Sequence, residues 1–313
     1  MHHFSSLYGL DVDMKILITG ATGFIGHKLI DSLRLDHELL LISRQPKLAA
    51  KQLSVDNSQV IHINELKNMD DVDVIINLAG ESLANKRWTE TQKRRISESR
   101  WIITEQLIQV LKQSRSKPRV WINASAIGYY GPQSHFPINE TYEPPFPDFA
   151  SRVCHRWEAL ANQAKDFDCR VCILRFGLVL DSDGGMLEKL WLPFWLGFGT
   201  KLGNGEQMMS WISRTDLIRV ILFVLAHDSL AGVFNVTTPN PVTQAEFATQ
   251  FAAFLHRPRL LTAPGWLLKL MLGEMASLLL TGQNVQPQRL LEQGFQFLYP
   301  TLPEALMHIY EDE

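Results

Sequence analysis

The sequence is poor in cysteine, and this scarcity limits the chemistry that the chain can carry. Only Cys154, Cys169 and Cys172 occur among 313 residues, too few for the disulfide framework of a small secreted protein. They indicate a reducing, cytoplasmic environment. Cys169 and Cys172 have C-x-x-C spacing, but they belong to a strand-like apolar run, where positions i and i+3 point to opposite faces of a sheet. We therefore predict two ordinary sheet cysteines and no metal site.

Excess charge and long apolar runs are also missing. The formal net charge is −3. The sequence lacks the basic face that would indicate a nucleic-acid partner. The most apolar stretch, 266–280, contains Lys269 and Glu274 and is too short to span a bilayer. We interpret it as a buried or partner-facing helix, with a membrane-surface helix as the alternative, and predict no membrane partner. The first thirteen residues lack the pattern of a signal peptide, and we expect a flexible extension before Met14.

The most informative feature that the chain does contain is a glycine-rich turn near its start. It reads Thr19-Gly20-Ala21-Thr22-Gly23-Phe24-Ile25-Gly26, follows a strand-like run and opens a segment with helical spacing. Gly20 permits the tight turn, Gly23 lets the backbone approach a pyrophosphate, and Gly26 lets the helix pack close to the strand. Free N–H groups at the start of the helix favour an anion. We predict a dinucleotide site formed by Gly20, Thr22, Gly23, Phe24, Ile25 and Gly26; the alternative is a glycine turn without a ligand.

Strand-like and helix-like segments alternate through the first two thirds of the chain. This order indicates β-α-β units and a doubly wound, mostly parallel α/β sheet of the Rossmann type. The predicted strands are 15–19, 38–42, 60–63, 72–78, 120–124, 170–176 and 233–236. The predicted helices are 24–35, 90–113, 150–164 and 214–226, and beyond 239 the pattern predicts helices only. We expect, after the extension 1–13, a dinucleotide-binding domain (14–180 plus 213–240) and a smaller, mainly helical substrate or lid domain (181–212 plus 241–313).

The end of the second predicted strand indicates which dinucleotide is bound. An acidic side chain there would bind the ribose 2′-hydroxyl of NAD, whereas an arginine accommodates the 2′-phosphate of NADP. The strand 38–42 is followed by Ser43 and Arg44, and both side chains can donate to a phosphate. We therefore predict NADP(H) as the cofactor, with a solvated loop arginine as the alternative. Small residues after the strand 72–78 predict a second close backbone contact with the cofactor, formed by Leu78, Ala79 and Gly80.

These segments together resemble the extended and atypical short-chain dehydrogenase/reductase superfamily, and within it an epimerase-like branch of nucleoside-diphosphate-sugar epimerases. The resemblance covers 14–309 and rests on the glycine turn, on Ser43-Arg44 and on further short motifs. These motifs are Asn77-Leu78-Ala79-Gly80-Glu81, Arg87-Trp88, Ser99-Arg100, Ser125-Ala126-Ile127-Gly128-Tyr129-Tyr130-Gly131, Trp157-Glu158, Leu174-Arg175-Phe176-Gly177 and Ser210-Trp211-Ile212. The resemblance implies a small helical C-terminal domain of unassigned function at roughly 260–310.

The resemblance implies a catalytic apparatus that this sequence lacks. In active members a tyrosine is the general acid or base, a lysine four residues later lowers its pKa and holds the nicotinamide ribose, and a serine orients the substrate. The tyrosine and lysine positions fall on Ala150 and Cys154, and the serine position falls on Ala126, next to Ser125. We take Ser125, Tyr130 and Cys154 as catalytic candidates. The alternative for Cys154 is a buried, unreactive cysteine, and for Tyr130 it is packing.

The resemblance also implies binding residues in the second half of the site. Arg100 is expected to reach a cofactor phosphate, and Val179 is expected to line the nicotinamide end. Four residues are candidates for substrate binding: Glu81, Gly205, Gln207 and Arg214. A separate aromatic run has helical spacing and is interpreted as a buried stripe rather than a sugar platform; it consists of Trp191, Phe194, Trp195 and Phe198.

Two functions follow from these observations and both stay open. The first is an NADP(H)-dependent oxidoreductase or epimerase that acts on a small polar substrate, such as a nucleotide sugar. The second is a non-catalytic NADP(H)-binding sensor or scaffold, because the Tyr-x-x-x-Lys pair is missing. The family resemblance also implies a homodimer formed through the helices 90–113 and 150–164.

Overall fold

The computed structural model describes residues 13–133, 135–143, 148–258 and 261–311. Of the predicted N-terminal extension, residues 1–12 therefore lie outside the described part. The strands are β1 (Lys15–Thr19), β2 (Glu38–Ile42), β3 (Val60–Ile61), β4 (Val74–Asn77), β5 (Val120–Ala126), β6 (Pro137–Ile138), β7 (Arg170–Phe176), β8 (Leu178–Asp181), β9 (Thr200–Leu202), β10 (Met208–Met209), β11 (Trp211–Ser213), β12 (Gly232–Val236), β13 (Val242–Thr243), β14 (Leu261–Ala263) and β15 (Asn284–Val285). The helices are α1 (Phe24–Leu33), α2 (Pro46–Leu53), α3 (Glu90–Gln113), α4 (Phe149–Asn162), α5 (Gly185–Trp195), α6 (Arg214–Ala226), α7 (Gln244–Phe254), α8 (Gly265–Leu272), α9 (Ser277–Leu280), α10 (Gln288–Glu292) and α11 (Leu302–Glu311).

A seven-stranded sheet in the order β12-β7-β5-β4-β1-β2-β3 forms the centre of the protein. All its neighbouring strands are parallel; Leu17, for example, pairs with Leu40 on one side and Ile75 on the other. Helices cover both faces, so the central strands are apolar on both sides. The chain runs outward from β1 to β3 and then returns to place β4 on the other side of β1. This topological switch creates a crevice at the carboxyl ends of β1 and β4, and the α/β doubly wound prediction is confirmed.

Several predicted elements match the structure residue for residue because local signals mark their ends. Helix α3 spans the predicted 90–113; the Thr89 side chain accepts a hydrogen bond from the Gln92 amide at 3.2 Å and caps it. Helix α6 spans the predicted 214–226, with Ser213 as its cap. Strands β1, β2 and β7 also have their predicted bounds.

The prediction of helices only beyond residue 239 is wrong. Three short strands, β13, β14 and β15, occur in this part of the chain. Each pairs with a two- or three-residue strand far away in sequence, namely β10, β9 and β6 respectively. Strands this short are too brief to show apolar alternation in the sequence. Their formation depends instead on the distant partner strand. The proposed division into two domains stays a prediction.

The aromatic run is not a buried stripe, which corrects a second prediction. Only Phe194 is buried; it packs on Phe251 with ring centroids 4.9 Å apart. Trp191 and Trp195 lie four residues apart on one face of α5 and stack at 5.7 Å, with 38% and 43% exposure. Phe198, beyond the helix, is also exposed. Helical spacing predicts that residues share a face of a helix, but it does not determine whether that face is covered.

The stretch 266–280 forms no continuous buried helix, so the interpretation as a buried helix is wrong, whereas a partner-facing or membrane-surface role stays a prediction. It is divided between α8, a 3₁₀ turn and α9, and Trp266, Leu270 and Met271 are each more than 60% exposed. No helix in the described segments combines the length and apolar character needed to cross a membrane. Likewise, among the described residues no His, Cys, Asp and Glu side chains gather in a group of three that could hold a metal ion.

Candidate functional site

The glycine turn between β1 and α1 has a backbone geometry that only glycine fits. Gly20 has φ +73°, and a Cβ there would lie 2.7 Å from the carbonyl carbon of Leu78. A Cβ at Gly26 would overlap the carbonyl oxygen of Gly20. The turn is therefore packed against both the loop after β4 and its own helix. This close packing brings Gly20, Gly26 and Leu78 together as the sequence predicts.

The start of α1 is suited to an anion. Gly23 occupies the N-cap position and, within the described residues, no side chain caps the helix. The first turn also contains no acidic residue. Amide groups at an uncapped helix start, together with the helix dipole, attract a phosphate. The Gly23 amide itself donates to the Gly20 carbonyl at 3.0 Å, which fixes the turn.

Ser43 and Arg44 lie at the carboxyl end of β2, beside the glycine turn. The strand pairing places Ile42 opposite Thr19, so both strands end at the same edge. The Ser43 hydroxyl accepts a hydrogen bond from the Gln45 amide at 3.1 Å. Arg44 is exposed, and its guanidinium pairs with no carboxylate of the described residues. A free guanidinium at this point fits the 2′-phosphate of NADP.

A buried polar network under the crevice holds the loop 78–80 in place. The Thr19 hydroxyl donates to the Asn77 Oδ1 at 2.6 Å and accepts from the Ala79 amide at 3.2 Å. The Asn77 amide in turn donates to Asn123 at 2.7 Å and to the Thr104 hydroxyl at 2.9 Å. The network joins β1, β4, β5 and α3. Sequence analysis missed it, although asparagine at the end of two apolar strand runs was a visible signal.

Arg100 on α3 lies against the same loop. Its Nη1 donates to the carbonyl oxygens of Glu81 and Ile96, both at 3.0 Å. A Cβ at Gly80 would come within 2.8 Å of the guanidinium carbon, so glycine is needed for this approach. Burial lowers the pKa of Arg100, although the charges of Cys154 and Glu81 act in the opposite direction. The predicted contact of Arg100 with a cofactor phosphate stays a prediction.

Two of the catalytic candidates meet at a buried ion pair that sequence analysis did not identify. Arg175 donates from Nε and Nη2 to the two carboxylate oxygens of Glu158, at 2.9 and 2.8 Å. The Ser125 hydroxyl donates to the same carboxylate at 2.6 Å. Arg175 also donates from Nη1 to the Tyr130 hydroxyl at 2.9 Å, and this hydroxyl donates to the Asn235 Oδ1 at 2.7 Å. Charged residues inside the motif Trp157-Glu158 and inside the apolar strand 170–176 were the available signal.

This arrangement favours the packing alternative for Tyr130 over an acid or base role. The side chain is completely buried, and burial raises its pKa to about 12 although Arg175 acts in the opposite direction. Its proton is used in the hydrogen bond to Asn235. Ser125 is 2% exposed, and its hydroxyl proton is used by Glu158. Both side chains are therefore members of a satisfied buried network.

Cys154 is also buried, and the structure favours the alternative interpretation of this residue as a buried, unreactive cysteine. Burial raises the pKa of its thiol to about 11, and the interactions with Arg100, Ser125 and the Ala126 backbone, which lower the pKa, do not offset this effect. The thiol is therefore protonated at neutral pH and lacks the reactivity of a thiolate. It packs as a small apolar side chain.

We expect none of the three cysteines to react readily with the thiol reagent DTNB at pH 8 in the native protein. Burial raises the pKa of Cys169 to about 12 and those of Cys154 and Cys172 to about 11, so few thiolates are present. Native labelling should be at least roughly 100-fold slower than labelling in urea, where all three thiols react. Fast release of one equivalent of thionitrobenzoate from folded protein would show an accessible thiolate and restore the catalytic hypothesis.

Arg214, predicted to bind a substrate, is engaged by carboxylates of this chain, and its substrate role stays a prediction. Its Nε lies 2.6 Å from Asp181 and its Nη1 2.7 Å from Asp183. The guanidinium also donates to the Phe24 carbonyl at 3.2 Å and covers the Phe24 ring at 4.7 Å. A Cβ at Gly184 would lie 2.5 Å from this ring. Arg214 therefore holds the segment that starts the 181–212 insertion against the glycine turn.

The remaining predicted substrate residues are divided between two places. Gly205 has φ +76° in a turn of the insertion. Gln207 follows it, donates to the Leu279 carbonyl at 2.7 Å and lines a pocket of about 270 Å³. Glu81 instead lies in the loop after β4, with its amide hydrogen-bonded to Ser99 at 2.9 Å. The structure does not bring these residues into one cluster.

Val179, the residue predicted at the nicotinamide end, lies in β8. It is partly buried, packs against the main core and pairs with Ile212 of β11. Its carbonyl oxygen would lie 3.1 Å from a Cβ at Gly185. Val179 thus belongs to the segment that Arg214 fixes, next to the glycine turn.

Comparisons with known proteins agree with this geometry. The family model "NAD dependent epimerase/dehydratase family" matches residues 16–237, and "Domain of unknown function (DUF1731)" matches residues 263–309. The epimerase family protein SERP0438 of Staphylococcus epidermidis is 40% identical over 299 residues, which cover 93% of this chain and 97% of the relative.

Solved structures are similar over nearly the whole chain. The human epimerase family protein SDR39U1 (isoform 2), determined with NADPH, has a TM-score of 0.86 and 32% identity, covering 96% of this chain and 100% of that chain. A nucleoside-diphosphate sugar epimerase from Corynebacterium glutamicum has a TM-score of 0.76 and 27% identity, covering 99% of this chain and 61% of that one.

Proposed function

The chain belongs to the NAD dependent epimerase/dehydratase family, and on that premise we propose that it binds NADP(H) and is an epimerase-like oxidoreductase of the short-chain dehydrogenase/reductase type. Its proposed substrate is a small polar molecule, with a nucleotide sugar as the leading choice. The observation that carries the proposal is the uncapped glycine turn beside the exposed Arg44. The similar human protein determined with NADPH supports the choice of cofactor.

The adenosine and pyrophosphate parts of the proposed cofactor would each have a fitting group in the crevice. The amide groups at the start of α1 would hold the pyrophosphate, and Ser43 and Arg44 would hold the 2′-phosphate. The loop 78–80, which touches Gly20, would lie along the adenine ribose. When bound, NADP(H) supplies hydride transfer. The chain's own contribution is to bind and orient the cofactor.

A second candidate function is a non-catalytic NADP(H)-binding sensor or scaffold. The burial of Ser125, Tyr130 and Cys154 favours it, because none of these side chains can exchange a proton with a substrate at neutral pH. The two functions differ in turnover. Incubating the protein with NADPH and a panel of carbonyl compounds and nucleotide sugars, while following absorbance and products, separates them.

We expect Arg44→Glu to change cofactor preference. The substitution removes a charge-assisted contact to the 2′-phosphate and adds a repulsive carboxylate, so the dissociation constant for NADPH should rise about 100-fold. The affinity for NADH, which lacks this phosphate, should stay within a few fold. Isothermal titration calorimetry with both cofactors measures the two constants.

The matched control for this experiment is Lys51→Glu. Lys51 is an exposed cation in the last turn of α2, so it undergoes the same change of charge at a distance from the strand end. Its NADPH affinity should stay near that of the unmodified protein. Equal affinities of the unmodified protein for NADPH and NADH would contradict the assignment of Arg44.

A further inference from the structure

We propose that Arg100 binds the ribose of the nicotinamide half of NADP(H) and so provides, from α3, the positive charge that α4 lacks at Cys154. This inference rests on the proposed cofactor binding and specifies a contact within it. Three observations lead to it: the position of the guanidinium, its lack of an acidic partner, and the direction in which a dinucleotide crosses the sheet.

The first observation is that Arg100 and Cys154 are neighbours although they belong to different helices. Helices α3 and α4 pack together, and the Trp101 indole donates to the Val153 carbonyl at 3.2 Å. The guanidinium of Arg100 lies 5.3 Å from the ring of Trp157, one turn beyond Cys154 on α4. Its charge is close enough to Cys154 to influence the pKa of that thiol. Arg100 on α3 therefore places a positive charge beside Cys154, a position at which α4 itself has no cation.

The second observation is that Arg100, which is partly buried, has no paired acid among the described residues. Arg175 and Arg214, the other buried arginines of the site, each contact at least one carboxylate within 3 Å. Within the described residues, the side chain of Arg100 donates only from Nη1, to two carbonyls and weakly to Ser99 at 3.4 Å. Its Nε and Nη2 have no hydrogen-bond acceptor there. Neither nitrogen is among the fully buried unpartnered atoms, so both are open to an acceptor from outside the chain, and a ligand oxygen in the crevice would provide one.

The third observation is the order of the strands. Arg44 lies at the end of β2, on one side of β1, whereas β4 and β5 lie on the other side. A dinucleotide whose pyrophosphate rests at the start of α1 and whose adenosine lies at β2 must extend its other half across β4 and β5. Arg100 touches Gly80, directly after β4, and Cys154 interacts with Ala126 at the end of β5. The guanidinium is therefore on the nicotinamide side.

The test compares two ligands that share the adenosine half. Adenosine 2′,5′-bisphosphate contains the 2′-phosphate but no nicotinamide ribose, so only NADPH can use the proposed contact. For Arg100→Met we expect the dissociation constant of NADPH to rise roughly 10-fold or more, with that of the bisphosphate unchanged within about twofold. The exposed Arg95, on the same helix, gives the matched control Arg95→Met, for which both constants should stay the same.

Two further variants distinguish loss of the proposed contact from a folding defect. Arg100→Lys keeps the charge and should retain most of the NADPH affinity. Adding Cys154→Lys to Arg100→Met places a cation on α4 and should restore part of the loss. Equal weakening of both ligands in Arg100→Met, or no weakening of NADPH, would overturn the inference. Absence of NADPH binding by the unmodified protein would overturn the proposed function itself, and with it this contact.

Discussion

Replacing Arg175 by methionine should lower the free energy of unfolding by about 3–5 kcal/mol, because it leaves a buried carboxylate without its partner. The side chains of Arg175 and Glu158 are only 4% and 7% exposed. Burial by itself would lower the pKa of Arg175, but the hydrogen bonds and charge of Glu158 outweigh it and raise the pKa. Arg175 therefore stays protonated across the accessible pH range. Urea unfolding followed by circular dichroism measures the loss.

Two controls separate this effect from the simple removal of an arginine. Arg94 and Glu98 form an i,i+4 pair on α3 with 79% and 46% exposed side chains, and Arg94→Met should cost at most about 0.5 kcal/mol. The double variant Arg175→Met/Glu158→Leu removes both buried charges and should recover part of the stability. A loss below about 1 kcal/mol for Arg175→Met would mean that the pair is hydrated in solution.

The segments that the structure brings together as the sequence predicted are those determined by local chain geometry. The glycine turn, Ser43-Arg44 and the loop 78–80 each follow directly on an apolar strand run. Parallel strands end at a common edge, so finding the strands was enough to place these residues together. The exact bounds of α3 were predictable for a similar reason, since Thr89 caps a helix whose spacing is regular.

The parts that the sequence could not predict depend on contacts between distant segments. Glu158 and Arg175 lie on a helix and a strand, and their pairing follows from the way α4 packs on the sheet. The paired side chains also hold Ser125 and Tyr130 in a buried hydrogen-bond network. Arg214 is a similar case: its charge suggested an anion, but Asp181 neutralises it. A charged residue in a motif does not reveal whether its partner is a ligand or another part of the chain.

Among substitutions that add a single methyl group, Gly26→Ala should weaken cofactor binding the most. The new Cβ would overlap the carbonyl oxygen of Gly20, and because this is backbone, the turn itself must move. A displaced turn misaligns the amides at the start of α1, so the dissociation constant for NADPH should rise at least about 100-fold, equivalent to roughly 2.7 kcal/mol. Calorimetric titration with NADPH measures this constant.

The direction in which Gly26→Ala changes the free energy of unfolding tests whether the turn can accept a side chain. In an unhindered helix, replacing glycine by alanine raises the free energy of unfolding by about 1 kcal/mol. The control is Gly265→Ala at the start of α8, which should be close to neutral or stabilising. Its new Cβ would make only ordinary contacts at 3.5 Å. Gly26 has the same helical preference for alanine, yet we expect Gly26→Ala to destabilise, since the overlap with Gly20 exceeds the gain in propensity. A variant that is more stable than the unmodified protein and binds NADPH as tightly would show that the turn tolerates a side chain. The pyrophosphate site would then have to lie elsewhere.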